Sequence, residues 1–218
     1  MATKAQIYAS LADDTARKIT GDYLDWAAFL GTSSRLYKYP YRDQLLIYAQ
    51  RPDATACAEY DLWNNTMHRY IRRGSKGIAL LTAGSGGMGV RYVFDISDTG
   101  TRRESRDVEP WRITEQTEQP VRKMLEEVYS ADAEMPLAEQ INQIASQQAL
   151  AYWRDHRRDI LDSVADSFLS EYDDFNIGTS FRQAATASIA YSLQLRCGLE
   201  PELYREDFTE VLNFNTPA

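Results

Sequence analysis

The sequence has 218 residues, 44% of them hydrophobic and 26% charged, with a formal net charge of −8. This is the composition of a soluble globular protein with a buried core, organised as one large domain or two small ones, not of a disordered or fibrous chain. No apolar run approaches the roughly 20 residues a membrane helix needs, and the start of the chain lacks the apolar stretch of a secretory leader.

In chain order, residues 3–19 predict a helix with Ile7, Leu11 and Ala16 on one side, broken at Gly21. Residues 22–36 predict a second, with Asp22 as N-cap and a wide apolar face of Leu24, Trp26, Ala28, Phe29, Leu30 and Leu36. Pro40 forces an extended break, and residues 42–50 form a short third helix that ends before Arg51-Pro52. The period then changes. Ala56–Ala58 reads as a short strand, Tyr60–Asn65 as a helical turn around Trp63, and Arg69–Arg73, Gly77–Thr82 and Val90–Ile96 as strands. Ala83–Gly89 is the expected hairpin loop, and one small antiparallel sheet is expected over 56–97.

Residues 98–116 are polar and weakly patterned, so they predict a connector. Beyond it the chain reads as helical: 121–129 with Pro120 at the first helical position, 137–170 as one or two helices, and a helix capped by Thr179 or Ser180 that ends at Gly198. A short last helix spans 202–212. The expected fold is therefore α+β: N-terminal helices and a small antiparallel sheet in a domain of residues 1–110, then a mainly helical domain or appendage of 117–218.

The charge is unevenly placed. Residues 1–110 carry 15 Lys+Arg against 13 Asp+Glu, and the acidic excess lies in the second half. No acid occurs between Asp61 and Asp95, a stretch that holds Arg69, Arg72, Arg73, Lys76 and Arg91. The segment Arg69-Tyr70-Ile71-Arg72-Arg73-Gly74-Ser75-Lys76-Gly77 combines four cations, an aromatic and two glycines. Arg, Lys and close-approaching backbone N–H groups suit phosphates, and an aromatic offers a stacking surface to an unpaired base. A solvated edge strand with gatekeeper charges accounts for the same residues. A second cluster, Tyr37-Lys38-Tyr39-Pro40-Tyr41-Arg42-Asp43-Gln44, reads either as further stacking and phosphate contacts or as helix-end packing.

Catalytic signals are thin. Gly84, Gly86, Gly87 and Gly89 precede a strand instead of the helix a phosphate-cradling loop requires. His68 and His156 sit in unrelated settings, no His-Glu-x-x-His motif occurs, and Cys57 and Cys197 have no metal-ligand spacing. The carboxylates of Glu171, Asp173 and Asp174 read as a cation site or, more simply, as a solvated helix end. No metal, cofactor or enzymatic activity is expected, and the two cysteines, far apart in the sequence, suit a reducing compartment and a cytoplasmic protein.

The stretch from Asp25 to Thr99 resembles the N-terminal domain of ArdC-type antirestriction proteins. The resemblance rests on Trp26-Ala27-Ala28-Phe29-Leu30, on YKYPYRDQLLIYAQRPDATACAEYDLW at 37–63, on RYIRRGSKGIALL at 69–81 and on RYVFDISDT at 91–99. It covers about 80 residues closely, in the form found at the front of large multi-domain proteins of Firmicutes conjugative elements. It implies single-stranded-DNA binding in defence of incoming mobile-element DNA, with Arg72, Arg73 and Lys76 in the family's basic strand-turn, Trp63 and Phe94 at its aromatic positions, and Arg42 and Gln44 at polar positions before Leu45-Leu46. The zinc peptidase domain of complete ArdC proteins has no counterpart motif here. It also implies that the chain is one part of a larger parent protein. The site expected from residues and resemblance together is Arg69, Tyr70, Arg72, Arg73, Lys76, Tyr37, Lys38, Tyr39, Tyr41, Arg42, Gln44 and Arg91. The competing expectation is an inhibitor module whose acidic helical half occupies a basic site on a host defence protein.

Overall fold

The structure is a computed structural model and describes residues 2–84, 87–165 and 167–214. It is α+β: N-terminal helices, a small antiparallel sheet, then a helical C-terminal half. The chain divides into two compact units. One comprises residues 1–19 and 31–110, the other residues 20–30 and 111–218.

In the first unit, α1 (Lys4–Ile19) packs on α3 (Tyr41–Gln50) and on two strands, β3 (Ile78–Gly84) and β4 (Gly87–Asp95). Ala12, Ile19, Leu45, Leu46, Ile47, Ile78, Leu80 and Val93 form the core between them. The apolar run Ile-Ala-Leu-Leu supplies β3, and removing such side chains from water is what holds helices to sheet. The sheet order is β1–β4–β3, where β1 (Cys57–Ala58) pairs with Phe94 and Asp95 of β4. The hairpin register runs from Ile78↔Val93 to Gly84↔Gly87, so the strands reach well into the segment expected to be loop; Ser85 and Gly86 lie outside the described residues. Trp63 is buried in a short π-helical turn (Leu62–Thr66), and its indole N–H donates to the Phe94 carbonyl at 2.8 Å.

Strand β3 is an edge of the sheet, and α3 covers part of it. The Gln50 side chain donates to the Ala79 carbonyl at 2.9 Å and accepts from the Ala79 N–H at 2.9 Å. The single sheet expected over 56–97 divides in two. Tyr70–Ile71 (β2) joins none of these strands and pairs antiparallel with Thr99–Gly100 (β5), inside the segment read as a connector. Two-residue strands carry no alternation to read, so their partner is set by tertiary structure.

In the second unit, α5 (Leu137–Ser163) and α6 (Asp174–Cys197) form the main helix pair. A Cβ on Gly178 would stand 2.6 Å from the Trp153 indole, so the glycine is what lets that ring lie against α6. Helix α2 (Tyr23–Arg35) gives residues 23–30 to this unit, where the Trp26 indole N–H donates to Ser188 Oγ at 2.9 Å. Three boundaries differ from expectation. Helix α4 (Glu115–Tyr129) starts five residues before Pro120, with Thr114 and Thr117 in a capping box. Asp173 caps α6 through the Asn176 N–H, in place of Thr179 or Ser180. The last helical segment is a 3₁₀ turn (Glu206–Phe208) followed by α7 (Thr209–Asn213), not a continuous helix from 202. Gly198 closes α6 in the left-handed region, φ 79° and ψ 17°, as its position predicts.

Candidate nucleic-acid interface

The basic segment is built on the β2–β5 ribbon. Beyond Ile71, the Arg72 N–H donates to the Asp98 carbonyl at 2.8 Å, and the Ser75 N–H to the Arg72 carbonyl at 3.1 Å. Gly74, at φ +89°, supplies the left-handed residue the turn requires. Ser75 Oγ donates to the same Asp98 carbonyl at 3.3 Å. The turn 72–76 is thus tied to Asp98, and Arg72, Arg73 and Lys76 project into solvent.

Asp98 is itself held. Its carboxylate accepts from Arg51 at 2.9 and 3.2 Å and from the Asp95 N–H at 3.3 Å. Asp95 is 2% exposed and sits below it. One Asp95 oxygen accepts from the Thr55 and Ala56 N–H groups at 2.7 and 3.0 Å, the other from the Ser97 N–H and hydroxyl at 2.9 and 2.7 Å. Burial alone would raise this carboxyl's pKa; the bonds from Ser97, Thr55 and Ala56 outweigh it and hold the group below the usual carboxylate range. The Cys57 thiol faces the same carboxylate at 3.8 Å, and burial followed by that charge pushes it up to about 12.

Tyr70 stands at the centre of the ribbon, 42% exposed, directly across from Gly100. Its ring lies so close on the Gly100 backbone that a Cβ there would stand 2.3 Å from Cζ. The Arg102 guanidinium carbon is 5.7 Å from the ring centroid, within cation–π range. Arg102 is held by its N–H to Ser105 Oγ (2.6 Å) and its guanidinium to Asn64 Oδ1 (3.1 Å).

The expected site residues divide by what they touch. Arg69 is buried, with Nε donating to Thr99 Oγ1 at 2.8 Å, and braces the ribbon from within. Tyr39 donates its hydroxyl to the Cys57 carbonyl at 2.8 Å, and burial raises its pKa. Gln44 donates to the Leu36 carbonyl at 3.2 Å. Arg91 is gripped by Asp43 at 2.7 Å and Glu59 at 3.0 Å; burial keeps the Asp43 carboxyl above its usual range despite Arg91. These four are engaged inside the fold. Tyr70, Arg72, Arg73 and Lys76 face outward at the ribbon; Tyr37 and Lys38 face outward just before α3 and Tyr41 and Arg42 in its first turn, with Lys38 5.8 Å from the Tyr37 ring and Arg42 3.9 Å from Asp13. The two outward groups are not one cluster. One adjoins the start of α3; the other reaches its end, where Arg72 donates to the Ser97 carbonyl and Arg51 to Ser97 Oγ. Ten helical residues separate those ends, about 15 Å at 1.5 Å per residue.

Arg102 and its exposed neighbour Arg103 escaped the sequence reading. They lie in the supposed connector, and only the pairing of Tyr70 with Gly100 reveals their proximity to the basic turn. Because Asp22 and Asp25 group with the second unit, the first carries a net +4 and the second −12.

No family model, curated protein or solved structure matches this chain.

Other constellations resolve into structure. Gly84, Gly87 and Gly89 lie in the β3–β4 hairpin, and Gly86 lies outside the described residues. The His156 ring lies against Tyr152, tilted by 32° with centroids 4.2 Å apart, and is 3.8 Å from Asp159. Asp174 pairs with Arg157, and Asp173 is the α6 cap. Among the described residues, no group of three His, Cys, Asp or Glu could hold a metal ion, and no helix is long and apolar enough to cross a membrane.

Proposed function

We propose that the first unit is a non-catalytic, sequence-tolerant module for single-stranded DNA, acting in the antirestriction setting that the ArdC-type resemblance implies. One observation carries this reading. Arg72, Arg73 and Lys76 lie on the turn that follows the exposed Tyr70, whose ring Arg102 approaches at 5.7 Å, and none of the four cations has a carboxylate within salt-bridge distance among the described residues, whereas Arg51 and Arg91 are both paired. Unpaired cations beside an exposed ring suit phosphates and unstacked bases.

If these four cations each neutralise one phosphate, affinity falls as salt rises, with a log–log slope of about −0.7 per contact on a single strand. Four contacts give a slope of about −3, and therefore about a 50-fold loss between 50 and 200 mM salt. Fluorescence anisotropy with an unstructured oligonucleotide measures this. Arg72→Glu, Arg73→Glu and Lys76→Glu together should abolish binding. Undiminished affinity in that triple variant, or no binding by the parent chain at low salt, removes the reading.

A second reading has its own observation. An open cleft of about 1080 Å³ between α5, α6 and the C-terminal segment is rimmed by Glu200, Glu202, Glu206, Asp207 and Glu210. Such a surface in a unit of net charge −12 favours a basic partner, such as a host defence protein. Capture of a partner that survives nuclease treatment and depends on these carboxylates, not on residues 72–76, would favour it.

A further inference from the structure

We propose that Tyr70 and Arg102 clamp a single unpaired base between ring and guanidinium, and that Gly100 sets the ring in position for it. This rests on the single-strand reading above and adds how the site separates single strands from duplex.

The geometry suits one base. Ring centroid and guanidinium carbon are 5.7 Å apart, wider than direct stacking. A base inserted at the ~3.4 Å spacing of stacked nucleic acid needs about 7 Å, an opening of roughly 1 Å. The exposed Arg102 side chain supplies that movement by releasing its hydrogen bond to Asn64 Oδ1, while its backbone stays tied through its N–H to Ser105 Oγ. Both jaws are planar and both stack well on bases. A base in a duplex is already stacked above and below, so it cannot enter without unpairing.

Tyr70 is fixed from beneath. It is the cross-strand partner of Gly100, and its ring occupies the place where any other residue's Cβ would be. A larger residue at 100 therefore turns the ring out without altering charge. The cations of the adjoining turn, Arg72, Arg73 and Lys76, are left to grip phosphates next to the held nucleotide.

The test compares an ordinary oligonucleotide with an abasic one of the same length, which keeps every phosphate and lacks the bases. The full chain should bind the ordinary strand about tenfold more tightly, the scale of one base–aromatic contact. Tyr70→Leu and Arg102→Lys leave the charge unchanged, so the salt slope should stay and the tenfold preference should disappear. Gly100→Ala should do the same, and the first two variants carry the test if that one misfolds. A chain that binds both strands equally, or variants that keep the full preference, would overturn the clamp and leave phosphate binding standing. Failure of the parent chain to bind either strand would overturn the single-strand reading and the clamp with it.

Discussion

Replacing Asp95 by alanine should cost the first unit about 4 kcal/mol. The carboxylate accepts four hydrogen bonds at 3.0 Å or less, two from the backbone N–H groups of Thr55 and Ala56 and two from Ser97. The Ser97 hydroxyl can rotate to another acceptor. The two N–H groups of residues 55 and 56 cannot, and a stranded buried donor costs about 1–3 kcal/mol. Thr55 and Ala56 are only partly buried, so the low end applies, about 2–3 kcal/mol for the two together, and the lost charge-assisted bond at the Ser97 N–H adds about 1.5, for roughly 3.5–4.5 kcal/mol. Urea unfolding reads this at Trp63, the one tryptophan of that unit, through its indole N–H resonance. With a urea dependence of about 2 kcal/mol per molar, the midpoint should fall by about 2 M at unchanged slope. The pH dependence gives a second reading. Asp95 has a folded pKa below its unfolded value of about 3.9, so its contribution is complete above that value and is lost as pH falls through the folded one. The parent chain should weaken progressively below about pH 4, and the alanine variant should lack that part of the decline. A midpoint shift under about 0.5 M, or an unaltered acid limb, would refute the account of Asp95 as the anchor beneath the basic turn.

Two further outcomes follow from the packing. Gly178→Ala drives a methyl into the Trp153 indole and should destabilise the second unit by about 2–3 kcal/mol, measured by the same unfolding at the Trp153 resonance. With its thiol pushed up to about 12, Cys57 should be about one part in ten thousand thiolate at pH 8, so alkylation should be several orders slower in the native chain than in urea.

The long elements are legible in the sequence because their signals are local. The apolar period of α1 and α5, the continuous run of β3 and the glycine after α6 each carry their meaning within a few residues. What fails is nonlocal. Nothing in Thr99-Gly100 announces a strand, because two residues have no period and their partner lies some thirty residues away. The cations of 69–76 look alike in sequence, yet Arg69 turns inward to Thr99 while Arg72 and Arg73 turn outward, a difference fixed by the ribbon. Arg91 shows the same limit: the acid-free stretch around it meets Asp43 and Glu59 from distant elements. Residues 20–30 belong with the second unit through contacts such as that of Trp26 with Ser188, far along the chain.

The Gln50 amide bears on how this protein tolerates crowding by copies of itself. An edge strand offers its backbone to any extended chain nearby, which is how sheets recruit one another into aggregates. At Ala79 both groups are already taken by a side chain that imitates a neighbouring peptide, one donor and one acceptor. An incoming strand must first displace that amide from within the α3–β3 contact, so the sheet ends at Ala79 by chemistry as well as by topology.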